Sequence, residues 1–220
     1  MRLTTKIVTY SLLLLVLLSC KKEYSIKVKV YNPVTQEPYA NVHVSIQEQY
    51  SNPVVGYNNP TKYKILYEGF TNNNSELLIT ERFHKDRSYS ISCERPDGIE
   101  GTCYFNHPGG YAIFKDGKSD KEINFELVPC ASLKLKINNV NCQGSSDKMV
   151  LFQGNEVGNF DMTEPWQHDG CVNWESNGYS IVPMGEQYYR WEVTKNNVTE
   201  TYYDTIDLAA GEQRVYEINY

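Results

Sequence analysis

The sequence predicts an all-β protein made of two tandem β-sandwich domains. Two observations predict this class: apolar and polar residues alternate with period two along many short segments, and the period near 3.6 that marks amphipathic helices is almost absent. Turn-forming residues separate the segments, as at Asn72-Asn73-Asn74 and Pro108-Gly109-Gly110. The chain has 220 residues, which is enough for two modest domains after an N-terminal targeting segment.

The first 19 residues are typical of an export signal. Arg2 and Lys6 precede an apolar run, residues 7–18, which ends abruptly at Ser19-Cys20. The run is shorter than the roughly 20 apolar residues that a membrane-spanning helix needs. We therefore expect residues 1–19 to be a signal peptide that is removed, and residues 20–24 to form a lipidated cysteine with a short tether.

Leu17-Leu18-Ser19-Cys20 resembles the lipobox of bacterial lipoproteins, in which the cysteine follows a small residue. The resemblance implies a diacylglyceryl group on the Cys20 thiol and a further acyl chain, such as palmitate, on the new amino terminus. Several chains anchor a protein stably, because each buried methylene contributes about 0.8 kcal/mol. Lys21 follows the cysteine in place of the aspartate that retains enteric lipoproteins in the inner membrane. We expect a lipid-anchored envelope protein in the outer membrane; an ordinary secretory signal with a chance cysteine is the alternative.

Residues 25–129 are predicted to form the first sandwich. Ile26, Val28 and Val30 alternate with polar residues, and so do the apolar residues of the next segment. Each run therefore has one face for a core and one for water. Further strands are predicted at residues 62–68, 76–80, 89–93, 102–105, 111–114 and 122–128.

Residues 130–220 are predicted to form the second sandwich, because the alternation restarts after a break at Pro129-Cys130. The two halves end alike, with residues 123–125 after Gly117 and residues 218–220 after Gly211, which favours a tandem of related sandwiches. Tyr216, Ile218 and Tyr220 are predicted to share one face. The remaining strands are predicted at residues 133–137, 149–152, 171–174, 179–182, 188–194, 199–208 and 214–220.

Residues 26–46, IKVKVYNPVTQEPYANVHVSI, resemble the opening of a carboxypeptidase regulatory-like, or transthyretin-like, domain. The strand ends at Tyr31 and Asn32-Pro33 begins a turn, but Gln36 stands where the family commonly has glycine. The resemblance extends to about residue 128 and implies immunoglobulin-like or transthyretin-like sandwiches with a structural or recognition role. An unrelated immunoglobulin-like sandwich is the alternative. The second half is similar to C-terminal regions of uncharacterised lipoproteins from Bacteroidota, through residues 129–133.

The sequence gives no support to catalysis. It has no glycine-rich phosphate loop, no Gly-x-Ser-x-Gly motif and no paired histidines on one helix. His168-Asp169-Gly170-Cys171 is the most suggestive local cluster, yet a plain loop explains it better, and Asp161 and Glu164 are best explained as solvated loop charges. We predict no catalytic residue, no metal ligand and no cofactor. The net charge is −6, and Lys21-Lys22 is the only basic run, so we expect no nucleic-acid partner.

Aromatic residues are the best candidates for recognition. Tyrosine and tryptophan offer a large amphipathic contact area at low entropic cost, although the same rings can instead cap the ends of sandwiches. We predict a noncatalytic binding or scaffold protein with a protein or glycan partner; the alternative is an envelope hydrolase or an accessory subunit of an enzyme or transporter complex. The candidate residues, in or beside segments rich in Asn, Pro and Gly, are Tyr50, Tyr57, Tyr63, Tyr104 and Trp166.

A modification site is predicted at Thr205. Asp204-Thr205-Ile206 resembles the Asp-Ser/Thr-aliphatic acceptor of O-glycosylation on exported Bacteroidota proteins.

The cysteines predict a disulfide between Cys93 and Cys103. With Cys20 lipidated, five cysteines remain in an oxidising compartment. Cys93 and Cys103 are symmetric about Gly98, and a hairpin centred there would place them on opposed strands at a distance that a disulfide accepts. Cys130 and Cys142 make a poorer pair, because the strand between them separates its ends by about 20 Å. We expect Cys171 to join one of those two.

Overall fold

The computed structural model describes residues 23–50, 62–84, 87–99, 101–107, 110–115, 121–158 and 165–220. This part of the chain folds into strands joined by turns, so the predicted all-β class is confirmed. No helix among these residues has the length and hydropathy to cross a membrane. The strands are β1 Tyr24–Tyr31, β2 His43–Tyr50, β3 Lys62–Phe70, β4 Glu76–Glu81, β5 Ser88–Cys93, β6 Thr102–Phe105, β7 Tyr111–Lys115, β8 Lys121–Asn138, β9 Lys148–Asn155, β10 Trp166–Asp169, β11 Asn173–Glu175, β12 Ser180–Pro183, β13 Gly185–Lys195, β14 Val198–Leu208 and β15 Gln213–Asn219.

The first sandwich packs two sheets face to face. One sheet contains β4, β1, the first half of β8 and β6, and the other has the order β3-β2-β5-β7. β1 pairs antiparallel with β4 and parallel with β8. The alternation of each strand sends one apolar row between the sheets. The buried core residues are Ile26, Val28, Val30, Val42, Val44, Ile46, Ile79, Tyr89, Ile91, Cys93, Ala112, Phe114, Phe125 and Leu127.

The second sandwich repeats this plan. The second half of β8 pairs antiparallel with β11 and β12 and parallel with β15, and the facing sheet has the order β10-β9-β13-β14. Ile218 and Tyr220 are buried and Tyr216 packs beside them, so the predicted shared face of the last strand is confirmed. The buried core residues are Ala131, Leu133, Leu135, Ile137, Met149, Leu151, Tyr189, Val193, Leu208, Ile218 and Tyr220.

The two halves have the same strand connectivity. In each half the first strand pairs antiparallel with the fourth strand and parallel with the last strand. In the second half, β11 and β12 together take the place of the fourth strand. In each half the second strand pairs with the third and the fifth, and the fifth pairs with the next. The fold is therefore a tandem of two related β-sandwiches, as predicted, with β6 as an addition to the first.

β8 belongs to both sandwiches. It is 18 residues long and continues without interruption through Pro129-Cys130, where the sequence predicts a break. Pro129 is accommodated because it pairs with β6 at a register shift, where the regular ladder of backbone hydrogen bonds is already interrupted. The domain limits of residues 25–129 and 130–220 stay a prediction, and the boundary that they set falls inside a strand.

Gln36 adopts the backbone conformation that glycine usually supplies in the family that this segment resembles. Its φ is 60°, in the left-handed region. Two side chains support the turn: the Gln36 amide donates to the carbonyl of Pro33 at 2.7 Å, and the Asn32 side-chain oxygen accepts from the amide of Val34 at 2.9 Å. The departure from glycine therefore leaves the predicted turn in place.

The predicted disulfide between Cys93 and Cys103 is wrong. Cys103 is bonded to Cys130, with their Cα atoms 5.0 Å apart, and the Cys93 thiol is free and buried. The segment around Gly98 does turn, but it carries the chain from β5 in one sheet to β6 in the other, so the two cysteines never lie on paired strands. Cys171 is bonded to Cys142, which is one of the two partners expected for it, Cys130 and Cys142.

Candidate binding surface

The structure places the described aromatic candidates in three different sheets. Tyr63 lies on β3 with 59% of its surface exposed, Tyr104 lies half-buried on β6, and Trp166 lies on β10. The Trp166 ring packs edge-on against Trp174 at 5.5 Å and is 44% exposed. Tyr57 and the side chain of Tyr50 lie outside the described residues. The three described candidates therefore do not lie together in one site.

The outer face of the β3-β2-β5-β7 sheet brings together a different set of residues. On β2 the apolar Val44 and Ile46 point into the core, so the residues between and beyond them point outward. On β5 the inward residues are Tyr89 and Ile91. Apart from His43 at the start of β2, the outward side chains described on these two central strands are serine or glutamine: Ser45, Gln47, Gln49, Ser88, Ser90 and Ser92.

These six side chains form three cross-strand pairs. The register sets Ser45 opposite Ser92, Gln47 opposite Ser90 and Gln49 opposite Ser88. The hydroxyls of Ser45 and Ser92 lie 2.7 Å apart and share a hydrogen bond. The result is a continuous strip of uncharged hydrogen-bonding groups, which we call the floor.

Larger apolar side chains stand on both sides of the floor. β3 contributes Tyr63, Ile65 and Phe70, and β7 contributes Tyr111 and Ile113, each between 47% and 59% exposed. We call these five residues the walls, and floor and walls together the trough. The exposed Glu68 stands between Ile65 and Phe70 on β3, opposite Ser45. Ser45 and Ser90 are only 7% and 8% exposed although they point away from the core. In the register, the longer side chain of Glu68 stands beside Ser45, and that of Ile113 stands beside Ser90.

The register aligns the walls across the floor. Ile65 pairs with Gln47, and Ser90 on the other central strand pairs with Ile113, so one row runs from wall to wall. Tyr111 flanks Ser92 in the same way. With strands about 4.8 Å apart, the backbones that carry the two walls are about 14 Å apart.

One end of the trough is closed by a polar and aromatic contact. The His43 ring lies 5.2 Å from the ring of Phe70, and its Nδ1 lies 2.9 Å from a carboxylate oxygen of Glu94. Both neighbours fix the orientation of the imidazole at the edge of the wall.

The corresponding face of the second sandwich carries charged side chains that contact their neighbours on the same face. The guanidinium of Arg190 stacks on the ring of Phe152 at 3.9 Å and lies 3.6 Å from the carboxylate of Glu192. Its central strands therefore offer no uncharged floor. Because the two sheets have the same connectivity, the trough is a feature of the first sandwich and not of the fold.

The other described clusters show no arrangement for catalysis. No group of three His, Cys, Asp or Glu side chains in the described ranges is placed to hold a metal ion. His168 is half-buried against Trp174, and burial lowers its pKa. Asp161 and Glu164 lie outside the described residues. An open cleft of about 570 Å³ where the sandwiches meet has no acidic or basic side chain among the described residues of its lining, which include Gly98, Gly101 and Gly211.

Sequence reasoning missed most of the trough because it searched loops for aromatic residues. Of the three candidates that the structure describes, Tyr63 is the one that belongs to it. The signal was present in residues 111–114, where apolar residues occupy both faces of a predicted strand. A strand with one face in the core and an apolar outer face indicates a second contact surface.

The fold and this surface define a two-domain β-sandwich protein with an exposed trough on its first domain. No protein-family model and no curated protein matches the chain. Solved structures that are similar include the Bacillus anthracis TIE protein, at 13% identity over 90% of this chain and 34% of that one, with a TM-score of 0.34. A DUF3823 family protein from Parabacteroides merdae is 12% identical over 85% and 98% of the two chains, with a TM-score of 0.28.

The shaft pilin SpaA from Lactobacillus rhamnosus GG is 7% identical over 90% of this chain and 96% of that one, with a TM-score of 0.30. This chain spans 34% of the length of the TIE protein and 63% of a streptococcal ancillary pilin. At identities and TM-scores this low, the likeness gives no activity for this chain.

Proposed function

We propose that this chain is a lipid-anchored, noncatalytic binding protein of the cell envelope, and that the trough of the first sandwich is its recognition surface. One observation carries the proposal: five large apolar side chains stand exposed on a single sheet face, on both sides of an uncharged polar floor. Soluble proteins rarely expose grouped apolar residues without a contact to make.

Two disulfides support export. Cys103–Cys130 and Cys142–Cys171 use four of the five cysteines that follow the predicted lipidation site. Disulfides form and persist in oxidising compartments and are rare in the cytosol. This agrees with the signal peptide and lipobox predicted at residues 1–20, and with attachment of Cys20 to the outer membrane.

The shape of the trough supports binding over hydrolysis. A hydrolase needs an acid, a base or a nucleophile that converge on one point of the substrate. The floor offers serine hydroxyls and glutamine amides alone. The exposed Glu68 stands beside it on β3 opposite Ser45, and His43 and Glu94 lie at one end beside Phe70.

Site-specific photo-cross-linking in cells tests the recognition surface. A benzophenone amino acid at Gln47, in the middle of the floor, is expected to form an adduct with an envelope component. The matched control is Val150, which occupies the same place on β9 in the second sandwich, opposite Glu192 as Gln47 is opposite Ser90. An absent adduct at Gln47, or equal adducts at both positions, would contradict the assignment of the trough.

A further inference from the structure

We propose that the ligand of the trough is a neutral carbohydrate chain, which lies along β2 and β5 between the two walls. This inference rests on the proposed function and names the ligand class for the same surface. It depends on three properties of the trough: the charge of its floor, the chemistry of its walls and the hydrogen-bonded pairing of its backbone.

The floor selects a neutral ligand rich in hydroxyl groups. Serine hydroxyls and glutamine amides each donate and accept hydrogen bonds, as do the hydroxyls of a sugar. None of the six floor side chains is charged. An anionic chain would find no Lys or Arg on the floor and would meet the carboxylate of Glu68 beside Ser45. A cationic chain would find no Asp or Glu on the floor itself.

The walls suit sugar rings, which have apolar C–H faces as well as hydroxyl edges. Tyr63 and Tyr111 present amphipathic rings at opposite sides of the floor, and Ile65 and Ile113 face each other across Gln47 and Ser90. Apolar walls with a few oriented polar groups are the usual composition of a small-molecule site. A sugar ring packed against a wall keeps its hydroxyls within reach of the floor.

The backbone disfavours an extended peptide as the ligand. A peptide that joins a sheet as a new strand needs the unpaired N–H and C=O groups of an edge strand. β2 is paired with β3 and β5, and β5 with β2 and β7, so both strands of the floor have neighbours on each side. Recognition on this face therefore uses side chains.

The dimensions fit a short segment of a chain. Residues on one face of a strand recur about every 6.7 Å, so the three floor pairs extend over about 13 Å along the strands. The Phe70–His43 contact lies beyond the Ser45–Ser92 pair and limits the trough on that side.

Binding of defined oligosaccharides to the full chain, purified in detergent, tests the proposal. The probes are neutral hexasaccharides of glucose, xylose, mannose and N-acetylglucosamine, with a heparin hexasaccharide as the charged counterpart. We expect at least one neutral probe to bind, and Tyr111→Ala to weaken it about tenfold or more, as for aromatic residues at the centre of an interface. The matched control is Tyr203→Ala on β14, which removes a ring that is 74% exposed on the other sandwich.

The outcomes separate the ligand class from the surface. Binding of a neutral probe that depends on Tyr111 and not on Tyr203 supports the proposal. No binding of any neutral probe, binding of heparin alone, or equal losses in both variants overturns it. If Gln47 cross-links to a protein and no sugar binds, the carbohydrate assignment is wrong but the trough remains a recognition surface. If Gln47 forms no cross-link, the assignment of the trough as a recognition surface is contradicted.

Discussion

Small side chains on two neighbouring strands create the trough. Ser45, Ser90 and Ser92 occupy outward positions where lysine, threonine or glutamate is common on exposed sheets. Because serine is short, the rings of Tyr63 and Tyr111 stand above the floor and stay accessible. A single longer or charged side chain at Ser90 would fill the middle of the trough.

Cys20 decides where the protein resides, if the lipobox is used as predicted. Replacing Cys20 with alanine removes the thiol that accepts the diacylglyceryl group, and the protein is expected to lose its acyl label and its normal processing. Fractionation and metabolic labelling with a palmitate analogue measure both. The Cys93→Ala variant keeps the lipobox and serves as the control. Normally processed, acylated protein from the Cys20→Ala variant would refute lipidation at this residue.

Thr205 is exposed on β14, in a position open to a modifying enzyme. Asp204 beside it accepts a hydrogen bond from the Tyr216 hydroxyl at 2.6 Å and one from the Thr205 amide at 2.8 Å. If the predicted O-glycosylation occurs, intact-mass analysis of the native protein will show a glycan that Thr205→Ala abolishes. Thr201→Ala, exposed on the same strand, should leave it unchanged. A native mass equal to that of the unmodified chain would end this hypothesis.

At the scale of single elements, a buried carboxylate organises the loop between β8 and β9. Asp147 accepts hydrogen bonds from the amide of Gln143 and the side chain of Asn139, both at 2.9 Å. Asn139 in turn accepts one from the ammonium of Lys195 at 2.9 Å. The bond from the Gln143 amide, followed by that from Asn139, lowers the pKa of Asp147 below its ordinary value of about 4.

This lowered pKa gives a pH dependence with a definite sign. A carboxyl group with a lower pKa in the folded state stabilises the fold above its unfolded pKa, and loses that effect as the pH falls through the folded pKa. Asp147→Asn is therefore expected to be less stable than the parent at pH 7 and to lose less stability between pH 5 and pH 2. Urea unfolding across this range measures it, with the exposed Asp207→Asn as control. Parallel pH profiles for parent and Asp147→Asn would count against the assignment.

The disulfide between Cys103 and Cys130 fixes β6 to the middle of β8. The bond closes a segment with a sequence separation of 27. In the chain-entropy model, removing both cysteines as Cys103→Ser/Cys130→Ser lowers the free energy of unfolding by about 3.5 kcal/mol. Denaturant unfolding measures this loss.

Cys93→Ala is the control for the disulfide, because it removes the free thiol and leaves both bonds. Burial raises the pKa of the Cys93 thiol to about 12, so it should resist alkylation in the folded protein. Nonreducing peptide mapping should recover Cys103 linked to Cys130. A Cys93–Cys103 peptide in that map would show that the observed pairing is wrong.

The whole molecule is two copies of one sandwich plan joined through a shared strand. β8 supplies the last strand of the first sandwich and the first strand of the second, and its apolar residues enter both cores. Loss of one sandwich would leave half of β8 without its neighbours. The two domains are therefore expected to unfold in one transition.

The tryptophans make this cooperativity measurable. All three, Trp166, Trp174 and Trp191, lie in the second sandwich, so their fluorescence reports on that half alone. Ile79→Ala, in the core of the first sandwich, should cost about 2–5 kcal/mol and lower the midpoint seen by fluorescence and by far-UV circular dichroism together. Leu78→Ala, on the exposed side of the same strand, is the control. An unchanged fluorescence midpoint in Ile79→Ala would show that the halves unfold independently.

The sequence by itself determined most strands and their inward faces, because alternation is a local property of an extended backbone. The predicted segments 62–68, 76–80, 102–105 and 199–208 all fall on observed strands. β10 was missed, since Trp166-Gln167-His168-Asp169 is short and mostly polar and has no alternation to detect. The repeated ends of the two halves also predicted their relationship, which their common connectivity now explains.

Tertiary structure alone decided which strands are neighbours. The pairing of Gln47 with Ser90, and of Ser90 with Ile113, joins residues far apart in the chain, and no local pattern specifies such partners. The same rule explains the disulfides: symmetry about Gly98 indicated a hairpin, whereas burial of apolar faces sent β5 and β6 to opposite sheets and left Cys103 beside Cys130. The trough exists for the same physical reason, because its floor and walls come from four strands that only the packing of the two sheets brings together.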